Sequence, residues 1–153
     1  MDFIVEKDPG LIPQVLSKIL DSCVNGITLA DPDQKDLPLV YANKAFEIIT
    51  GYSQTEVLGR NCRFLQGTDR DQAERLHLKT AIETRQPVEI ILRNYRKNGE
   101  LFYNHLNITP LLDADGRLLY FLGVQYDVTG QRHAETEIAQ LKAQVAALSG
   151  SHP

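Results

Sequence analysis

A chain of 153 residues, 42% hydrophobic and 24% charged, has the make-up of one soluble globular domain with short additions at its ends. A net charge of −4 offers no broad attraction to nucleic acid, whose binding rests on Lys and Arg neutralising phosphates, and no apolar run approaches the length that spans a bilayer. The start, MDFIVEKDPG, lacks a basic, cleavable leader, and Cys23 and Cys62 are too few for a disulfide framework and lack zinc-site spacing, so a cytoplasmic protein without membrane, nucleic acid or metal is expected.

Leu11, Val15, Ile19 and Cys23 recur every four positions, with Ile12, Leu16 and Leu20 beside them and Pro13 tolerable in the first turn. The pattern predicts an amphipathic helix and makes Cys23 a small buried hydrophobe. GITLAD (26–31) and PLVYAN (38–43) read as short strands joined by a polar loop. Short helices follow in NKAFEIIT and SQTEVLG, the second opened by a capping box of Ser53 and Glu56. Next comes GRNCRFLQG, which sets Cys62 between Asn61 and Arg63 with Gln66 four residues on. TDRDQAERLHLKTAIETRQP predicts a helix capped by Thr68 with Asp71 and ending before Pro87.

After Pro87 the period changes to that of strands: VEIILRNYR, ELFYNHLNITPLL and RLLYFLGVQYDV, separated by the turn signals KNGE and DADG. A meander of three strands joined by the two early ones, with the helices grouped between, predicts an α+β fold built on a five-stranded antiparallel sheet. The last stretch, QRHAETEIAQLKAQVAALSG, predicts a helix whose Ile138, Leu141, Val145 and Leu148 form a short coiled-coil seam.

Within the long strands, polar residues fall on apolar faces. Val88, Ile90 and Leu92 share a face with Asn94; Phe102, Leu106 and Ile108 share one with Asn104; Phe121 and Gly123 share one with Gln125. For the first two sets to face the same side, the hairpin needs a three-residue loop, with Gly99 left-handed. A buried amide without a partner costs about 1–3 kcal/mol, so these amides either bind one another and the backbone or receive a ligand. Three on adjacent strands favour a polar heterocycle, since each amide offers a donor and an acceptor, and Gly123 leaves room for a flat group.

Cys62 by itself reads as a small hydrophobe or as a reactive thiol, and His77, His105, His133 and His152 form no motif that supplies it with a base. Arg63, Arg70, Arg75 and Lys79 read as a solvated face or as an anion site. Neither a phosphate loop nor GxGxxG is present.

GRNCRFLQG, NYRKNGELFYNHLNITP and FLGVQYDVT together resemble the LOV photoreceptors, a flavin-binding branch of the PAS domains, and the short flanks resemble the short LOV proteins. The resemblance implies a PAS/LOV fold with helices on one face of the sheet, flanking helices in 1–25 and 130–153, and a core in 26–129. It implies a non-enzymatic blue-light sensor with FMN as cofactor and Cys62 as the residue that bonds reversibly to flavin carbon C4a. Asn61 and Gln66 would line the ring or ribityl chain, Asn94 and Asn104 the pyrimidine edge, and Gln125 the O4 and N5 side. Leu106, Ile108 and Phe121 match apolar pocket positions, and Arg63 a phosphate contact, with Arg70 and Arg75 similar to the extra arginines of some short LOV proteins. Lys79 stands where many members have Arg, Tyr103 where Trp, Leu106 where Phe and Ala30 where Thr is frequent. A homodimer through the flanking helices is implied, with the downstream effector open. Two other classes remain: a thiol-dependent redox enzyme using Cys62, and a PAS dimerisation module that binds no ligand.

Overall fold

The computed structural model describes residues 11–150, with side chains from residue 14 onward. Expectations placed on residues 1–10, on the side chains of Leu11, Ile12 and Pro13, and on His152 fall outside that range.

A five-stranded sheet forms the spine, with strands β1 (Gly26–Ala30), β2 (Leu39–Ala42), β3 (Val88–Tyr95), β4 (Leu101–Leu112) and β5 (Leu118–Asp127) in the order β2-β1-β5-β4-β3. Every neighbouring pair is antiparallel, so the first and last strands meet in the middle of the sheet. The hairpin from β3 to β4 turns through Lys97, Asn98 and Gly99, with Gly99 at φ 88° and the Arg96 N–H bonded to the Glu100 carbonyl at 2.9 Å, the odd-length loop that alternation requires. Pro110 lies beyond the stretch of β4 that pairs with β3, so its missing N–H leaves no gap in that ladder.

Helices α1 (Leu11–Ser22), α2 (Lys44–Thr50), α3 (Gln54–Val57) and α4 (Glu74–Thr84) precede the meander, and α5 (Thr129–Gly150) follows it. The capping box on α3 is formed: Ser53 Oγ accepts from the Glu56 N–H, and the Glu56 carboxylate accepts from the Ser53 N–H. Leu39, Ala42, Phe46, Val57 and Leu65 pack together beneath these helices, while Ile90, Leu92 and Leu106 make a second apolar cluster on the meander.

Three expectations are corrected. The helix predicted from Thr68 begins at Glu74, and neither Thr68 nor Asp71 caps it. Local capping loses to the edge strand: Asp69 accepts two bonds from the Arg93 guanidinium, at 2.7 and 2.9 Å, and one from the Tyr95 hydroxyl at 2.8 Å. Gln72 takes up the backbone N–H and C=O of Arg93, groups that the edge of the sheet would otherwise leave open. Second, among the described side chains of α1 the apolar stripe is largely uncovered; Val15, Leu16 and Ile19 are exposed. It is held by polar bonds at its end, where Asn43 Nδ2 donates to the Leu20 carbonyl at 2.7 Å and Asp21 accepts from the Lys44 N–H at 3.1 Å. Third, Cys23 follows that exposed stripe and is only half-buried, its thiol donating to the Ile19 carbonyl at 3.3 Å.

Candidate functional site

Alternation places Leu92, Asn94, Phe102, Asn104, Leu106, Phe121, Gly123 and Gln125 on the buried face of the sheet. Register sets Leu92 opposite Asn104 and Leu106 opposite Gln125, which brings the three amides together. Asn104 Nδ2 donates to both Asn94 Oδ1 and Gln125 Oε1 at 2.9 Å, and Gln125 Nε2 reaches Thr28 Oγ1 at 3.3 Å. The amides therefore do bind one another, as one of the two sequence readings held. They do not satisfy one another: Asn104 Oδ1 and Gln66 Oε1 are buried without a partner.

Facing this wall is the 3₁₀ helix Cys62–Gln66. It is fastened to β2, since the Leu39 N–H bonds to the Arg60 carbonyl at 2.9 Å and the Gly59 N–H to the Leu39 carbonyl at 2.8 Å. Asn61 caps its start by accepting from the Arg63 N–H at 2.9 Å, and Gly67, at φ 55°, ends it in a conformation that disfavours any side chain. Cys62 and Gln66 are thereby turned toward the sheet. The two walls enclose an inner slot of about 90 Å³ lined also by Thr28, Ala30, Leu37 and Ile108. The bonded amides line the slot, and a planar polar ligand entering it would replace those bonds with its own.

The Cys62 residue is half-buried, but its thiol lies in the interior, and burial pushes the thiol pKa up to about 12, offset only in part by a hydrogen bond with Gln125. At neutral pH the sulfur keeps its proton. No base is among the groups that act on it. His105 is engaged elsewhere, on the opposite face of β4, where Nε2 donates to Glu89 at 2.7 Å and the ring stacks on Tyr126.

Leu37, Asn61, Arg63, Gln66, Leu78 and Ile82 line both this slot and an outer cleft of about 700 Å³. Arg70, Arg75 and Lys79 stand on the wall of that cleft, so the structure brings together the basic residues singled out in the sequence. Their partners differ. Arg63 pairs with Asp36, Arg75 donates to the Arg70 carbonyl, Lys79 lies 4.0 Å from Glu83, and Arg70 Nε is buried with no partner. A flat, polar group in the slot with an anionic tail in the cleft would meet the orphaned acceptors and the cleft's basic side chains together.

Comparison with known proteins places the chain in a family. The PAS domain family matches residues 24–130. A blue-light photoreceptor of Listeria monocytogenes is 41% identical over 135 residues, 88% of this chain and 53% of its own length, so the chain spans about half of that relative. Among solved structures, an RNA-binding light-oxygen-voltage receptor superposes with a TM-score of 0.81 at 37% identity, over 94% of this chain and 40% of that one. The LOV domain of an Erythrobacter litoralis blue-light-activated histidine kinase is 48% identical, over 69% of this chain and 96% of that domain, with a TM-score of 0.65. The chain is a LOV domain of the PAS family.

Several residues of the LOV slot escaped the sequence reading. Thr28 is fully internal, and its hydroxyl occupies the space above Gly123, where an added Cβ would come within 2.5 Å of it. The room left by Gly123 is thus taken first by the protein itself. Leu37, Leu39, Leu78, Ile82 and Leu92 complete the apolar lining. Leu92 was legible from strand alternation; Leu37 was not, because it sits in a loop in a left-handed conformation that a Leu rarely adopts.

Proposed function

We propose that this LOV domain is a non-enzymatic, cytoplasmic blue-light sensor that binds FMN, with the ring in the amide-lined slot and the phosphate in the basic cleft. The observation that carries this reading is that Cys62 and Gln125 line one slot with two orphaned amide acceptors. When bound, the flavin supplies blue absorption and an excited ring carbon, C4a, to which the Cys62 sulfur bonds reversibly.

The residues' tasks follow from their chemistry. A protonated thiol with no base is a poor nucleophile in the dark, which opposes the redox-enzyme reading and suits a partner made reactive by light. With a flavin in the slot, Cys62 would pass its thiol proton to the ring nitrogen nearest Gln125 as its sulfur bonds, and Gln125 would then face a donor where it had faced an acceptor. Gln125 would then present its oxygen in place of its nitrogen, a turn that also alters its contact with Thr28. Asn94 and Asn104 hold the polar ring edge; Asn61 and Gln66 line the junction of ring and chain; Leu106, Ile108 and Phe121 exclude water. Arg63, Arg70, Arg75 and Lys79 hold the phosphate, Lys79 as a point charge.

Two residues beyond Gln125, Asp127 accepts from the Thr129 N–H at 2.9 Å and from Arg96 at 2.5 Å, and Thr129 Oγ1 accepts from the Tyr103 N–H at 2.8 Å. A change in β5 thus reaches the first turn of α5 through bonded groups. We take 26–129 as the sensing core and the two flanking helices as its output. Ile138, Leu141, Val145 and Leu148 are all exposed, and α5 buries no side chain. A second copy of the chain is the partner that such a seam suits. Solution scattering in darkness and in light tests the output: a change in dimer shape is expected, and identical curves would exclude it.

Pigment released from the purified protein by denaturation tests the cofactor. One FMN per chain is expected; a colourless protein that takes up no FMN on reconstitution would favour a dimerisation module instead.

A further inference from the structure

The Arg63 guanidinium, placed at the junction of slot and cleft, is held by Asp36 on the loop between β1 and β2. One amide ties both members of the pair: Asn61 Nδ2 donates to the Asp36 carbonyl at 2.8 Å while its Oδ1 accepts from the Arg63 N–H at 2.9 Å. Asp36 and Leu37 are consecutive left-handed residues, at φ 66° and 50°, and this turn lays the loop over the mouth, with Leu37 on the wall of both cavities.

We infer that Asp36 is a specificity residue: it competes with the phosphate of a bound flavin for Arg63, and so limits how strongly the site prefers FMN over the phosphate-free riboflavin. The inference rests on the flavin reading above. Both side chains of the pair are well exposed, at 43% and 54%, and a solvated pair of this kind is weak enough for a better acceptor to displace it. A phosphate is such an acceptor, because its oxygens fit the guanidinium fork and Arg70, Arg75 and Lys79 attract it from the same cleft. Asp71 on the cleft wall and Glu83, the latter beside Lys79, oppose that attraction by their own charge. A ligand without phosphate leaves the pair intact and meets none of these costs.

The experiment titrates the full chain, freed of pigment, with FMN and with riboflavin, in wild type and Asp36→Asn. Asn tolerates the left-handed backbone and keeps the carbonyl that Asn61 binds, and riboflavin binding reports on the fold of the variant. Asp36→Asn should tighten FMN by about three- to tenfold and change riboflavin by less than about twofold. On an Arg63→Gln background the same substitution should change FMN affinity by less than about twofold, since there is no guanidinium left to release. An unchanged FMN-to-riboflavin ratio in Asp36→Asn overturns the inference, as does a full gain that persists without Arg63, which would make the effect one of charge at a distance. Wild type that binds neither flavin would overturn the flavin reading and this inference together, whereas both flavins binding with an unaltered ratio removes the inference alone.

Discussion

The inner slot and its outer mouth are built by opposite means. The slot is made of side chains on paired strands: Asn94, Asn104, Gln125 and Thr28 are each no more than 3% exposed and bond one to the next. The mouth is made of long charged side chains from the β1–β2 loop, the 3₁₀ helix, the segment after it and α4, with pairs that water can reach. A ring-binding surface needs groups fixed in position, which strand register provides; a phosphate-binding surface needs charge that can adapt, which flexible Arg and Lys provide. Substitutions in the slot should therefore act on chemistry and folding in large steps, and substitutions in the mouth on affinity and lifetime in small ones.

Cys62→Ala gives the largest expected effect. The variant should stay yellow and lose light-induced bleaching altogether, because the Asn61, Gln66 and amide contacts persist while the sulfur is gone. Bleaching that survived in the variant would remove Cys62 from the photochemistry.

Gly123→Ala tests the rigidity of the slot. Its Cβ would lie 2.5 Å from Thr28 Oγ1, so Thr28 must turn away and give up its bond to Gln125. Overpacking of this kind costs about 1–3 kcal/mol, to be read from chemical denaturation, and adding Thr28→Ala should recover part of it. Equal stability of Gly123→Ala and wild type would show that the wall is looser than its bonds imply.

In the mouth, replacing Arg70 and Arg75 together with Gln should speed dark recovery by about fivefold, the scale expected from weakening a few charge-assisted bonds. Recovery at the wild-type rate would mean that the two side chains are solvated bystanders.

The smallest effect concerns pH. Arg93, followed by Tyr95, holds the Asp69 carboxyl down to about 2, below the ordinary aspartate value of about 3.9. A carboxyl depressed in the folded state contributes stability that is complete above the unfolded pKa and is lost as pH falls through the folded one. Stability should thus decline between about pH 4 and pH 2 as the loop bearing Arg70 loosens, and Asp69→Asn should flatten that part of the curve.

How much of this could be read in the sequence divides along the same line. Period-two alternation fixes which residues of β3, β4 and β5 face inward, so the amide wall and the three-residue hairpin loop were legible in advance. The flanks of Cys62 and the basic residues were legible as types. Their pairing was not: nothing local says that Asp36 reaches Arg63 across 27 positions, or that Asp69 and Gln72 reach across to Arg93 in place of the expected cap by Thr68 and Asp71. The apolar stripe of α1 misled for a related reason, since periodicity reports that a face is apolar and not what covers it.

Together, the Cys62 thiol and a flavin in the amide slot should form a reversible light switch. Absorption of the purified wild-type protein, taken in darkness, under blue light and again in darkness, tests it most directly. A blue band that bleaches under illumination and returns in the dark is expected; a band that does not change in light would rule the switch out.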